Sequence, residues 1–263
     1  MTERPAPPRL ERPSAIAFAI LVAAAALVVS SFQGVGFSIS ELVAGLPQMT
    51  RILGEMIPPS HDRWDRVFSS LLETFHMALA GTVLGVLLSV PLAVLACRSL
   101  TASWPLRMAA RSLIAVFRTV PDIVWALIFV VAVGLGPFAG TLALMVDTMG
   151  YAARFFADAM EEQEKGPQEA LAAAGAPRMG VLMAAVLPAA MPSMVTTSLF
   201  CLEKATRGGV VLGLVGAGGI GMELKVSMDL FNYAEASAAI LAILLLVIAV
   251  EQASGAARRR IIG

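Results

Sequence analysis

Long apolar runs recur along this chain, and they restrict it to one kind of environment. The first, "AIAFAILVAAAALVV", lies within residues 14 to 32, a stretch without a single charge. About 20 apolar residues in a helix are enough to cross the hydrocarbon core of a bilayer. Five more runs of this kind follow, at about 71–97, 106–133, 137–157, 188–207 and 234–254. Glycine and proline interrupt several of them, as membrane helices tolerate. Composition agrees: 58% of the 263 residues are hydrophobic and 14% charged, against about a quarter charged in a soluble domain. Mean hydropathy is +0.80. The expectation is an all-α polytopic membrane protein with about six spans. Its parts are a tail at 1–13, a first span at 14–32, a segment at 33–69, a transmembrane domain at 70–255 and a tail at 256–263. The net charge is zero, which offers nothing to a nucleic acid. Cys97 and Cys201 sit in apolar runs and read as small buried hydrophobes.

Lysine and arginine mark the cytoplasmic side of membrane proteins. Arg4, Arg9 and Arg12 precede the first span. Arg98, Arg107 and Arg111 follow the second, Lys165 and Arg178 follow the fourth, and Arg258, Arg259 and Arg260 end the chain. All fall on one side, so both termini are expected in the cytoplasm. The other side keeps Arg51, Arg63 and Arg66. The first run could instead be a signal peptide, but "VSSFQG" is a poor cleavage site. "FSISELVAGLPQMTRILGEMIPP" has the pattern of an amphipathic helix lying at the interface.

Between the fourth and fifth runs the chain reads "EALAAAGAPRMGVLMAAVLP". Pro167 suits a first helical position, Glu169 a first turn, and Ala170 to Ala174 are strong helix formers. Gly175 fits a left-handed cap, and Pro177 prevents resumption. The spacing predicts a two-turn helix over 167–174 with an alanine surface able to enter a groove on another protein. A helical hairpin turn without any partner has the same periodicity.

The spacing of Glu169, Ala170, Gly175, Leu187 and Pro188 resembles the Glu-Ala-Ala loop of ABC importer permeases, here at 159–187, with Leu171 and Ala185 as departures. "ETFHMALAGTVLGVLLSVPLAVLACR", "FRTVPDIVWALIFVVAVGLGPFAG" and "VVLGLVGAGGIG" are similar to the phosphonate-type permease. The resemblance implies a type I importer permease fold in the bacterial inner membrane. It implies that residues 169–188 couple to an ATPase and that the substrate is a phosphonate, phosphite or phosphate. It further implies two ATPase subunits, a periplasmic binding protein and a second permease copy, identical or paralogous. No cofactor is expected on this chain; ATP and Mg would be used by the ATPase. No Gly-Lys dipeptide occurs, so this chain has no phosphate-cradling loop of the Gly-x-x-x-x-Gly-Lys type.

"GAGGIG" matches the letters of a dinucleotide fingerprint, but that motif needs a strand before it and a helix after it. Gly213, Gly216, Gly218, Gly219 and Gly221 read instead as flexible backbone at the outer end of the fifth span, where the resembling family borders its translocation path. Glu203, Lys204 and Arg207 are expected near that end. Glu203 and Arg207 are four apart and can pair; alternatively Arg207 attracts an oxyanion. Arg118 and Asp122, flanking Pro121, share that spacing and would stabilise a kinked third span. Asp147 has no evident partner. His61 and His76 lack metal-ligand spacing, and no metal is expected. An ion-gradient-driven secondary transporter is the rival reading, but the matched repeats that it needs are not evident. A membrane enzyme would need a catalytic constellation that the His-poor spans lack.

Overall fold

The computed structural model describes residues 14–101 and 103–262. The tail at 1–13, with Arg4, Arg9 and Arg12, lies outside the described residues. Every regular element among the described residues is helical. The chain divides into two units, Met1–Gly54 and Glu55–Gly263.

The first unit holds α1 (Ala15–Gly34) and α2 (Ile39–Glu55). Helix α1 is apolar around its whole circumference, as a span in lipid needs. Ser14 caps it by accepting from the Ala17 N–H at 3.2 Å. In α2, Ile39, Leu42, Val43, Leu46 and Leu53 recur at helical spacing and Glu41, Gln48 and Arg51 take other faces, which matches the amphipathic pattern of the sequence.

In the second unit, α3 (Trp64–Ala96) and α6 (Pro137–Glu161) form the central pair. Small residues let them approach. Gly81 and Gly85, one turn apart on α3, face α6 so closely that a Cβ on Gly85 would lie 2.6 Å from the Thr148 Cβ and 2.7 Å from the Met145 carbonyl oxygen. In lipid, where no hydrophobic effect drives helices together, such backbone proximity is the main source of attraction. A leucine at Gly85 should wedge the pair apart at a cost of about 3 kcal/mol, and an alanine should cost about 1 kcal/mol. Leucine at Gly45, which has open space around it, is the control. Thermal unfolding of the purified variants reads the difference.

Among the described residues, four helices are long and apolar enough to cross a membrane: α1, α3, α9 (Leu187–Gly213, extended back to Arg178) and α11 (Tyr233–Ile262). The expected third span is not one helix. It is broken into α4 (Trp104–Thr119) and α5 (Asp122–Val133), which meet at 91°. Pro121 has no N–H to continue the ladder, and it holds Val120 in an extended conformation. Counted as one, the bent pair makes a fifth span. The expected span at 137–157 corresponds to α6, whose 25 residues extend about 37 Å. It carries Asp147, Arg154 and Asp158, and it tolerates polar groups because neighbouring helices cover much of its surface. Ala143, Leu144, Ala152, Ala153, Phe156 and Met160 of α6 are all buried. Elsewhere large apolar side chains face outward, as Leu87, Val131 and Leu245 do; for a membrane domain this outer layer meets lipid.

Candidate functional site

The segment singled out by its spacing folds as a helix that leaves the bundle. Helix α7 spans Lys165–Ala173, so it starts two residues before the expected 167. Pro167 is therefore its third residue, tolerated because the first four N–H groups of a helix lack internal acceptors. Glu169 consequently lies beyond the first turn, and the expected interaction with the helix dipole does not hold. Its exposed side chain instead borders a cleft with Lys165, Gln168 and Arg178. The C-terminus forms as the sequence predicts. Gly175 has φ +83°, its N–H bonds to the Ala172 carbonyl, and the Ala176 N–H reaches the Leu171 carbonyl, both at 3.0 Å. These are the paired bonds of a Schellman cap. No residue of α7 is buried; Ala170, Ala172 and Ala173 are exposed. The base of the segment is clamped at Glu161, which accepts from the Arg111 guanidinium at 2.7 Å and the Arg98 N–H at 2.6 Å.

From Pro177 the chain returns through α8 (Arg178–Val181) and a π turn at Leu182–Val186 into α9. There the Leu187 N–H bonds to the Leu182 carbonyl, five residues back. Pro188 explains the widening: it cannot donate, and its ring crowds the carbonyl four residues earlier, at Ala184. The Leu187-Pro188 step thus joins α8 to a membrane span without a loop.

The glycine-rich turn between α9 and α10 (Ile220–Asp229) is a packed corner. Gly216, Gly218 and Gly219 all have positive φ. The Gly219 N–H donates to the Glu73 carboxylate and the Ile220 N–H to Thr74 Oγ1, each at 2.8 Å. Two residues of α3 therefore satisfy the first donors of α10. A side chain on Gly219 would collide with Thr74, and one on Gly221 with the Val210 carbonyl. Gly213 lies against Gly218 and Gly221. Nothing in the sequence pattern singled out Glu73 and Thr74 beyond their standing as polar residues in an apolar run.

The charges within α9 pair differently from the sequence expectation. Glu203 does not bond Arg207; its partner is Arg258 on α11, at 2.6 Å. Glu203 is 8% exposed, Arg258 30%. Nor is Glu203 near the outer end, since α9 continues for about 15 Å beyond it to Gly213. Lys204 donates to both oxygens of Asp147, at 2.7 and 2.8 Å, which gives Asp147 the partner that the sequence left open. Arg207 is exposed, and no ion pair or hydrogen bond holds it among the described residues. Arg118 and Asp122 likewise form no ion pair, because the 91° break places them on different helices. Asp122 instead lies beside Gly208 of α9.

Residues 81–261 match the family described as "Binding-protein-dependent transport system inner membrane component". The chain is 39% identical over 219 residues to the phosphite transport system permease protein PtxC of Stutzerimonas stutzeri, covering 83% of this chain and 79% of that one. It is 38% identical over 212 residues to the phosphate-import permease protein PhnE of Mycolicibacterium smegmatis; this covers 80% of the chain but spans only 40% of that relative. Among solved structures, an inward-facing MetNI methionine ABC transporter chain superposes with a TM-score of 0.67 at 22% identity, over 77% of this chain and 99% of that one. At that identity the likeness concerns the fold, that of a type I importer permease.

Proposed function

The chain belongs to the family of inner membrane components of binding-protein-dependent transport systems, and from that premise we propose that it translocates a phosphonate-like oxyanion, whether phosphonate, phosphite or phosphate. It is a multi-pass inner membrane protein and a non-catalytic permease subunit. As a member of an ABC importer it works with an ATPase and a substrate-binding protein. We read the complete assembly as two permeases, identical or paralogous, two ATPases that use ATP and Mg, and one periplasmic binding protein. The observation that carries the substrate assignment is the extensive identity to a phosphite transport permease.

The geometry supports a coupling route through α7. Helix α7 offers the ATPase an uncovered alanine surface, and the exposed Glu169 carboxylate offers it an acceptor. Isolated helices this short are marginal in water, so a partner has to hold α7. Helices α8 and α9 then pass its displacement into the membrane through continuous helical backbone. This makes Glu169, Ala170, Gly175, Leu187 and Pro188 the coupling residues. We place the translocation path along the outer face of α9 that carries Arg207, close to Glu203 and the glycine turn at 213–221.

Reconstituted with its ATPase and binding protein in proteoliposomes, the permease should take up labelled phosphate, phosphite or methylphosphonate on ATP addition. Uptake of methionine in place of these anions would overturn the substrate reading. The orientation has its own test. Maleimide should label Lys165→Cys from the ATPase side and Lys225→Cys from the opposite side. Native Cys97 and Cys201 are buried and should stay silent. Labelling of both new cysteines from one side would contradict a cytoplasmic α7.

A further inference from the structure

One face of α9 is left largely uncovered by the other described residues. Phe200, Lys204, Arg207, Val211 and Leu214 follow one another at steps of four and three, which aligns them along the helix. Two of the five are cations, both well inside the helix, Lys204 near mid-depth and Arg207 about 9 Å from the Gly213 end. Lys204 is about 14 Å from the Gly213 end of α9, and Asp147 about 15 Å from the Pro137 end of α6. Those two ends are joined by the Gly136 N–H bonding to the Gly216 carbonyl at 3.0 Å. The hydrocarbon core is about 30 Å thick.

The groups are ordered along this face. Nearest the glycine turn is Arg207, exposed and without a partner among the described residues. One turn toward α7, Lys204 is held by both oxygens of Asp147. The Lys204 side chain is 39% exposed and the Asp147 side chain 14%, so the pair opens to the uncovered side through its cation. Below it the Tyr151 ring lies 5.1 Å from the Lys204 ammonium. Tyr151 stacks on Phe200 at 5.6 Å and meets Phe155 at 4.6 Å. Cations thus stand above an aromatic floor.

A guanidinium at this depth cannot face lipid without a large penalty; it needs a protein partner or a water-filled path. Given the oxyanion reading of the preceding section, on which this step rests, we propose that Arg207, Lys204 and Asp147 form a charge-exchange station for the transported anion. While the path is empty, Asp147 occupies Lys204. A tetrahedral oxyanion has oxygens enough to bridge the guanidinium and the ammonium, and it displaces the Asp147 carboxylate. One anion replaces another on Lys204, so the net gain is small and the anion is held briefly rather than stored. The apolar ring surface beneath stops it from advancing until α9 moves. On departure Lys204 returns to Asp147, and no cation is left bare for the next ion that arrives.

The test uses the complete importer. In Asp147→Asn/Lys204→Gln both charges go and neither is left buried alone. A purely structural pair predicts wild-type uptake from this variant. The station predicts intact assembly with the ATPase but at least tenfold slower uptake of phosphate and phosphite. Asp147→Asn alone unmasks Lys204. The detergent-solubilised permease–ATPase complex, without binding protein, should then retain at least fivefold more radiolabelled inorganic phosphate than wild type in equilibrium dialysis. Adding Arg207→Gln should remove the gain. This measurement decides the question even if the double variant assembles poorly. An unimpaired double variant, or no gain in phosphate retention with Asp147→Asn, overturns the station. A wild-type importer that takes up none of the oxyanions overturns the transport reading and the station with it. Uptake by wild type beside an unimpaired double variant overturns the station alone.

Discussion

Arg258→Ala is expected to destabilise the protein by about 3 kcal/mol. Removing one partner of a buried ion pair costs about 3 to 5 kcal/mol, because the other charge stays behind uncompensated. Glu203 would be that charge, 8% exposed and otherwise held at 2.6 Å. The lower end of the range applies because Arg258 itself is 30% exposed and water screens part of the interaction. For a chain of this size the melting temperature should fall by about 6 to 12 °C. Adding Glu203→Gln should recover most of the loss, since a neutral amide needs no counter-charge. The i, i+4 spacing pointed to Arg207 as the partner, and it predicts the opposite pattern. Arg207→Ala is expected to change stability by no more than about 0.5 kcal/mol. If Arg207→Ala proves the more destabilising of the two, the assignment of the pair is wrong.

The second large effect concerns coupling. Gly175→Val should leave the protein inserted in the membrane but weaken its association with the ATPase at least tenfold. No atom lies within 4 Å of a Cβ at this position, so the cost is purely conformational. A β-branched residue at φ +83° loses about 1 to 2 kcal/mol. Both Schellman bonds go with it, and α7 frays into the loop that follows. Gly175→Asn, which tolerates the left-handed region, should come close to wild type. Glu169→Lys leaves the backbone intact and instead places a third cation beside Lys165 and Arg178; the same loss of association is expected by a different route. A pull-down of the ATPase combined with an uptake assay reads all three variants. Normal binding and uptake in Gly175→Val and Glu169→Lys would reduce α7 to an ordinary surface loop.

What the sequence reveals about this site divides by range. The cap at Gly175 was legible because every group in it lies within a few residues, and left-handed backbone belongs to glycine. The start of α7 was off by two residues because Pro167 fits several positions of a first turn. Pro121 was visible as an interruption, yet a kink and a 91° break begin from the same letters. Local periodicity offered Arg207 to Glu203 and Arg118 to Asp122, and both pairings failed. The true partners of Glu203 and Lys204 are 55 and 57 residues away, and tertiary packing alone brings them together. Glu73 and Thr74 lie 146 residues from the backbone donors they satisfy; no pattern along the chain connects them.

The π turn at Leu182–Val186 has a consequence for chain length rather than chemistry. Relative to an α-helix it holds one surplus residue. An α-helix would spend that residue on a further rotation of about 100°; the wider turn, closed five residues back, takes it up within a single revolution. The residues after it therefore keep the azimuth they would have without the surplus. Deleting a single alanine from 182–186 should close the turn to ordinary pitch and leave Phe200, Lys204 and Arg207 on the open side, although the chain before them is one residue shorter. This short stretch is the span's tolerance for length: one residue can leave it without re-aiming the helix that follows.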